Sequence, residues 1–208
     1  MKRTGFVTAL LALFALLAGC SAPPWAHIPV DKSSAVPGGT VTLKGNTVKL
    51  TGTPIKVGDP LPATILVDAF TMKKVELPQL KGKVLLLSVV PSIDTKVCEA
   101  QTHYLSDKGK RLSPDVMRVT ISRDTPFAQK RFAEEAKLTD ITYLSDYRDG
   151  SFGRATGLLQ EESMLLARGV IVADRDGIVR YIQVVPELTH LPDMEAAFAR
   201  AEALANGK

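Results

Sequence analysis

The hydrophobic and polar residues of this chain alternate, from residue 41 onward, between strand-like and helix-like patterns. The clearest segment is residues 84–90 (VLLLSVV), an apolar run bounded by Gly82 and Pro91. A strand that is covered on both faces of a sheet requires such a run, because the side chains on both faces must then be apolar. We therefore predict that this strand lies in the middle of the sheet.

Shorter segments on both sides of this strand complete the pattern. Residues 41–44 and 47–50 alternate with period two around Gly45-Asn46, which predicts a β-hairpin. Further strands are predicted at residues 64–67, 75–77, 116–121, 141–144, 169–173 and 178–185, and helices at residues 97–105, 126–137, 152–156 and 192–205. Strands that alternate with helices favour an α/β fold, a three-layer sandwich around a mixed sheet.

The beginning of the chain has a different pattern, which predicts export. Lys2 and Arg3 precede an apolar run over residues 6–18, and together they form the charged and hydrophobic regions of a signal peptide. At about 13 residues the run is too short for a transmembrane helix, which needs roughly 20. It ends in Leu-Ala-Gly-Cys, and this ending resembles the lipobox of bacterial lipoproteins, in which the cysteine, here Cys20, is acylated. An ordinary cleavage site with an incidental cysteine is the alternative.

The segment from residue 21 to about residue 40 is rich in Pro, Ala, Ser and Gly and shows no hydrophobic periodicity, so we predict a tether. The predicted organisation is a signal peptide at residues 1–19, a lipidated tether at residues 20–40 and one domain at residues 41–208. Within the tether, Trp25 could dock on the domain or contact lipid headgroups. Ser21 stands where an aspartate would favour the inner membrane, so by analogy with other lipoproteins we expect a lipid anchor in the bacterial cell envelope, on the periplasmic face of the outer membrane.

Composition and charge exclude several classes of function. The chain has 45% hydrophobic and 23% charged residues, as globular proteins do. Two of the positive charges behind the formal net charge of +4 are Lys2 and Arg3, and the remaining excess is too small to predict nucleic-acid binding. Two cysteines exclude a multi-disulfide scaffold, and three scattered histidines argue against a zinc site. Since no Gly-rich phosphate loop is present either, we expect no cofactor and no metal.

Residues 91–98 (PSIDTKVC) join the central strand to the next helix, at the end of a strand where α/β sheets place their sites. If the helix begins at Asp94 or Thr95, Cys98 lies in its first turn, among N–H groups that favour an anion. The thiolate is the nucleophilic form of cysteine. The spacing also puts the Thr95 hydroxyl and the Cys98 sulfur on one side of the helix, within hydrogen-bond reach. From these residues alone, a buried structural cysteine and a capping threonine remain open interpretations.

Pro91, Thr95 and Cys98 match the Pro-x-x-x-Thr-x-x-Cys motif of the peroxiredoxins, and the full string resembles the thiol peroxidase branch of that family. The Gly45-Asn46 hairpin, residues 122–129 (SRDTPFAQ) and Arg168 agree with the same branch. The similarity runs from about residue 41 to residue 204. It implies a thioredoxin-like three-layer sandwich with a central mixed β-sheet and an N-terminal β-hairpin.

The resemblance also implies an activity, the thiol-dependent reduction of hydrogen peroxide and, given the anchor, of organic and lipid hydroperoxides. In the family pattern, Cys98 attacks the peroxide and becomes a sulfenic acid. Thr95 hydrogen-bonds the sulfur and the peroxide, Arg168 holds the thiolate and polarises the peroxide, and Pro91 shields the sulfur from water. The alternative function is a redoxin-like lipoprotein without turnover, acting as a peroxide sensor or a binding module.

One position departs from the family pattern. The branch carries its resolving cysteine in an Arg-Phe-Cys string, which here reads Arg131-Phe132-Ala133. If Cys20 is acylated, Cys98 is the only thiol of the mature protein, and no intramolecular disulfide can form. We therefore predict one-cysteine turnover with an external thiol reductant, for which a membrane-tethered thioredoxin-like protein is our hypothesis, or a transient disulfide between two protomers. Family members commonly form homodimers, so a homodimer stays open.

Overall fold

A computed structural model of the protein describes residues 22–207. The interior of the main sheet contains β5 (Val84–Val89), a strand in which every residue is buried. β5 pairs in parallel with β6 (Val116–Ser122) and antiparallel with β9 (Gly169–Ala173). The central position of this strand and the mixed sheet around it are both confirmed.

Four further strands complete a seven-stranded sheet. They are β3 (Ile65–Asp68), β4 (Lys74–Glu76), β7 (Thr142–Ser145) and β10 (Val179–Val184). The strand order is β10-β9-β5-β6-β7-β3-β4, and a short 3-10 turn, Leu77–Leu80, follows β4. β10 therefore forms one edge of the sheet.

The two faces of this sheet carry different layers. On one face pack the helices α1 (Lys96–Gly109), α2 (Pro126–Glu135) and α4 (Met194–Ala205). On the other pack a second sheet, made of β1 (Thr40–Leu43), β2 (Asn46–Thr51) and β8 (Leu159–Gln160), and the helix α3 (Ser151–Thr156). Within β5, Leu86 packs against the helices while Leu85 and Leu87 pack against the other layer. The predicted three-layer sandwich is confirmed.

Two details of the second sheet differ from the prediction. The hairpin loop is Lys44-Gly45 rather than Gly45-Asn46, because Asn46 already pairs with Leu43. Lys44 and Gly45 both have positive φ, 51° and 81°, as the favoured two-residue hairpin turn requires. β8 was not predicted, since a two-residue strand carries no periodic pattern; it pairs with β2 through Leu50 and Thr51.

The segment predicted as a tether is in large part packed on the domain. Residues 29–36, which we call the strap, run beside the edge strand β10, where the Ala35 N–H donates to the Val184 carbonyl at 2.8 Å. For these residues the tether prediction is wrong: backbone and side-chain hydrogen bonds fix a segment whose composition suggested an extended linker. Further toward the N-terminus, Trp25 packs edge-on against Tyr104 with ring centroids 5.2 Å apart, so it docks on the domain.

The remaining N-terminal predictions fall outside residues 22–207. The signal peptide and the acylation of Cys20 therefore stay predictions. Of the helices that the structure describes, none is long and apolar enough to cross a membrane.

Candidate active site

The loop between β5 and α1 places Cys98 at the start of a helix. Thr95 is the N-cap residue of α1, and Cys98 is the third residue of the helix. The first backbone bond of α1 joins the Glu99 N–H to the Thr95 carbonyl, at 2.8 Å. The N–H groups of residues 96–98 thus precede the intrahelical hydrogen bonds, and their partial positive charge favours an anion beside them.

This loop is held in place by Asp124, from the connection between β6 and α2. Its carboxylate accepts hydrogen bonds from the Ser92 hydroxyl at 2.8 Å and from the Ile93 N–H at 2.7 Å. Nearby, Gln129 donates to the Ser122 hydroxyl at 2.8 Å and to the Leu144 carbonyl at 3.1 Å. The segment 122–129 that carried part of the resemblance therefore supports the loop.

Arg168 lies against the sulfur of Cys98. Its Nη2 is 3.3 Å from Cys98 Sγ, and the two residues are 2% and 0% exposed. The other nitrogens of the guanidinium donate to neutral oxygens, Nη1 to Gln101 Oε1 and Nε to the Leu188 carbonyl, each at 2.9 Å. None of these three partners in the described part of the chain is a carboxylate. The positive charge of the guanidinium is therefore held directly against the sulfur.

Gln101 completes this arrangement, and the sequence analysis missed its role. Its side-chain nitrogen donates to the Ser88 hydroxyl at 2.8 Å and to the Gly169 carbonyl at 3.2 Å. These two bonds orient the amide so that its oxygen faces Arg168. A signal was available, since a glutamine one turn after Cys98 on the buried side of a helix needs partners for its amide.

The predicted hydrogen bond between Thr95 and Cys98 is not formed. The Thr95 hydroxyl donates instead to the Ser92 carbonyl at 3.1 Å. Thr95 is the N-cap residue with an extended backbone, φ −118° and ψ 143°, yet its side chain makes no capping hydrogen bond. A hydroxyl has one hydrogen but two lone pairs, so Thr95 Oγ1 can still accept a hydrogen bond from a bound molecule.

Next to Cys98 the surface forms a cavity of about 360 Å³. Its lining consists of Leu43, Lys44, Pro91, Thr95, Lys96, Val97, Gln160, Leu165, Arg168, Leu188 and Thr189. Three of the four residues predicted for the catalytic site thus line one cavity, and the fourth, Cys98, is buried against Arg168. Pro91 has no N–H group to attract water to the sulfur.

Three observations concern the resolving thiol, the free thiol and metal binding. Ala133 is fully buried in α2, where a methyl group stands in place of the resolving thiol. Cys98 is the free cysteine of the described residues. Within residues 22–207, no three His, Cys, Asp or Glu side chains are grouped so that they could hold a metal ion.

Comparison with known proteins adds independent information. Residues 56–198 match the family model described as Redoxin. The chain is 46% identical over 164 residues to the thiol peroxidase of Halalkalibacterium halodurans, which covers 79% of this chain and 98% of that protein. It is 44% identical over 165 residues to the thiol peroxidase of Bacillus subtilis, which covers 79% of this chain and 97% of that one.

Solved structures agree with this result. A peroxiredoxin-like protein from Aquifex aeolicus matches with a TM-score of 0.75 at 34% identity, covering 83% of this chain and 99% of that chain. The thiol peroxidase from Chromobacterium violaceum matches with a TM-score of 0.69, covering 82% of this chain and 99% of that chain. Its identity of 20% supports the fold alone.

Proposed function

Because this chain belongs to the redoxin family, in the thiol peroxidase branch of the peroxiredoxins, we propose that Cys98 is the residue that attacks the peroxide. The protein is a peroxiredoxin-type oxidoreductase that reduces peroxides at the expense of thiols. The observation that carries the assignment to Cys98 is the 3.3 Å contact between its sulfur and Arg168 Nη2, at the start of α1. In this proposal the sulfur reacts as the thiolate, the nucleophilic form of cysteine, next to the Arg168 guanidinium.

The proposed reaction moves negative charge from the Cys98 sulfur to the departing peroxide oxygen. The thiolate attacks one peroxide oxygen, an S–O bond forms, and the O–O bond breaks. The departing oxygen carries away the electron pair, takes up a proton and leaves as water or an alcohol, while the sulfur becomes a sulfenic acid. In our proposal, Arg168 and the N–H groups at the start of α1 face the negative charge that develops on the departing oxygen.

The remaining site residues bind and shield the substrate. Thr95 Oγ1 accepts a hydrogen bond from the peroxide O–H, since its own hydrogen is already donated to the Ser92 carbonyl. Pro91 closes the cavity on the side of the loop without offering an N–H group to water. The apolar side chains of Leu43, Leu165 and Leu188 give the cavity room for the organic part of an alkyl hydroperoxide.

Recycling of the enzyme is proposed to need a thiol from outside the chain. Ala133 provides no resolving thiol, so the sulfenic acid of Cys98 condenses with an external thiol to a mixed disulfide and water. A second thiol then releases Cys98 as the free thiol and leaves with the first as a disulfide. We propose a thioredoxin-like protein as the donor, because glutathione is not the default reductant beyond the cytoplasmic membrane. A transient disulfide between two protomers of a homodimer is the second route.

The experiment that tests the function is a steady-state peroxide assay with dithiothreitol. We expect sustained consumption of peroxide by the full-length protein and none by the Cys98→Ser variant. A single stoichiometric oxidation without turnover would instead support the sensor, a function that the comparison with thiol peroxidases does not favour.

Anchoring at Cys20 forms a second part of the proposal. The Leu-Ala-Gly-Cys ending supports acylation, and Ser21 after the cysteine supports a location on the periplasmic face of the outer membrane. Because Trp25 packs on Tyr104, the chain between Cys20 and Trp25 can span at most about 18 Å. The face formed by α1 and α4 would then lie near the bilayer. Intact mass of the membrane-extracted protein tests the acylation, and an unmodified mass would contradict it.

A further inference from the structure

We propose that the strap positions the catalytic arginine, and that Asp31 is the residue through which it does so. The inference rests on the proposed function, since it assigns Arg168 to the chemistry of Cys98. It adds that a segment outside the predicted domain, with no contact to the sulfur, is part of the scaffold of the active site.

The connection from the strap to the site begins at the loop of residues 186–191, which joins β10 to α4. The Leu188 carbonyl of this loop accepts the hydrogen bond from Arg168 Nε at 2.9 Å. At the other end of the same arginine, the Val185 N–H donates to the Arg168 carbonyl at 3.0 Å. The Nε side of the guanidinium is therefore fixed by this loop, and the backbone of Arg168 by the residue just before it.

One side of the loop is held by the hairpin. The Leu188 N–H donates to the Thr42 carbonyl, and the Thr42 N–H donates to the Pro186 carbonyl, each at 2.7 Å. The Glu187 carboxylate accepts from the Lys44 N–H at 2.9 Å and from the Thr42 hydroxyl at 2.8 Å. These bonds hold the first half of the loop.

The strap holds the other side, mainly through Asp31. One carboxylate oxygen of Asp31 lies 3.1 Å from His190 Nδ1, and the other accepts from the Glu187 N–H at 3.4 Å. The Asp31 N–H donates to the Leu191 carbonyl at 2.9 Å. Gln183 of β10 in turn donates to the Asp31 carbonyl at 2.8 Å, which fixes the strap itself. Leu188 thus lies between two residues, Glu187 and His190, that Asp31 contacts.

This arrangement matters because the Nε hydrogen bond of Arg168 has a single acceptor, the Leu188 carbonyl. If the loop shifts, Arg168 Nη1 keeps its hydrogen bond to Gln101, but Nε loses its hydrogen bond to the Leu188 carbonyl. Displacements of about 1 Å at a reacting group reduce rates by up to roughly 100-fold. Asp31 is more than one side chain removed from the sulfur, so we expect a smaller loss of about tenfold.

The test measures the rate at which hydrogen peroxide oxidises Cys98 in a single turnover, by rapid quenching and mass spectrometry of the full-length protein. Asp31→Ala should lower this rate about tenfold. Lys32→Ala is the matched control, since Lys32 lies next to Asp31 in the strap but bonds Asp193, at 2.7 Å, and not the loop. Asp31→Asn, which keeps an oxygen able to accept from the Glu187 N–H, should recover part of the lost rate.

A double-mutant cycle distinguishes positioning from a general structural effect. If Asp31 acts through Arg168, Asp31→Ala should have little effect on the oxidation rate in an Arg168→Gln background. The inference is wrong if the loss is equally large in both backgrounds, if Asp31→Ala oxidises at the wild-type rate, or if Lys32→Ala loses as much. Should Asp31→Ala fail to fold, as judged by circular dichroism, Asp31→Asn is put through the same cycle under the same criteria. Failure of the proposed function is recognised separately, because Cys98 of the wild-type protein would then remain unoxidised.

Discussion

Arg168 and Cys98 meet inside the protein, with Nη2 and Sγ 3.3 Å apart and both side chains almost inaccessible to solvent. The contact joins the start of β9 to the first turn of α1, two elements 70 residues apart in the sequence. In the part of the chain that the structure describes, the remaining partners of the guanidinium are neutral oxygens. The sulfur is thus the group against which this positive charge is held.

Removal of the arginine should therefore affect the chemical step directly. We expect Arg168→Gln to slow the formation of the Cys98 sulfenic acid by roughly 100- to 1,000-fold, the loss typical for a donor that faces charge in a transition state. Stopped-flow or quenched single-turnover oxidation measures this rate. Arg154→Gln, at an exposed position of α3, serves as the control. An Arg168→Gln rate close to that of the wild type would remove the arginine from the mechanism.

Gln101 should matter for both the rate and the stability. The Gln101→Leu variant leaves the Ser88 hydroxyl and one guanidinium N–H without their partner, so we expect a loss of about 1–3 kcal/mol in the free energy of unfolding. The oxidation rate of Cys98 should fall as well. Thr156→Val removes a buried hydrogen bond in α3, and it should lower stability in urea unfolding while the oxidation rate is kept. Equal rates in the two variants would mean that Gln101 is only structural.

Thr95 should act as an acceptor for the peroxide. Thr95→Val removes the lone pairs while it keeps the shape of the side chain, and we expect the oxidation rate to drop about 100-fold. Thr95→Ser retains the hydroxyl and should stay within a few-fold of the wild type. The comparison is made by single-turnover oxidation at several peroxide concentrations. If valine and serine behave alike, the hydroxyl has no role in the reaction.

Restoring a thiol in α2 should change the fate of oxidised Cys98. In the Ala133→Cys variant we expect peroxide to produce an intramolecular disulfide, whereas the wild-type protein advances to sulfinic acid when no reductant is present. Mass spectrometry after a peroxide pulse separates the two products by mass. Ala136→Cys, three residues further along, is the matched control. Sulfinic acid as the main product of Ala133→Cys would show that this position cannot reach Cys98.

Glu187 should make the stability of the protein depend on pH in acid. Burial raises the pKa of Glu187, but hydrogen bonds from the Lys44 N–H, the Thr42 hydroxyl and the Gly45 N–H outweigh it and lower the pKa from its ordinary value of 4.5 to about 2. The ionised carboxylate therefore stabilises the fold above pH 4.5, and this contribution is lost as the pH falls from 4.5 to 2. Thermal melting between pH 6 and pH 2 should show a smaller decline for Glu187→Gln than for the wild type. The exposed Glu162→Gln should decline as the wild type does.

The hydrophobic pattern of the sequence predicted the strands and helices that have a clear periodicity. It did not predict the hydrogen bonds that join elements distant in the sequence. The run at residues 84–90 indicated a central strand because both of its faces had to be apolar. By contrast, the loop of residues 186–191 has no periodic pattern, and nothing local indicates that its Leu188 carbonyl would reach Arg168. The strap was missed because it lies within residues 21–40, whose Pro-, Ala-, Ser- and Gly-rich composition is typical of linkers. Its fixed position depends on Gln183, about 150 residues later.

For the site, the motif placed Cys98 in the first turn of α1. It could not specify the direction of the Thr95 hydroxyl, which donates to the Ser92 carbonyl. The cavity brings Pro91, Thr95 and Arg168 together, as the resemblance implied. Gln101 was not singled out, because its partners come from β5 and from the start of β9, and neither is near it in the sequence.

The pairing of the strap with β10 has a consequence for contacts between copies of the protein at high concentration. An open edge strand offers free N–H and C=O groups to a neighbouring molecule and promotes aggregation. Here the Ala35 N–H donates to the Val184 carbonyl near one end of β10. At the other end, the backbone of residues 58–59 exchanges hydrogen bonds with Val179. The opposite edge, β4, is only three residues long and begins with a lysine. Both borders of the sheet are thus protected, which allows many copies to lie side by side without strand-to-strand association.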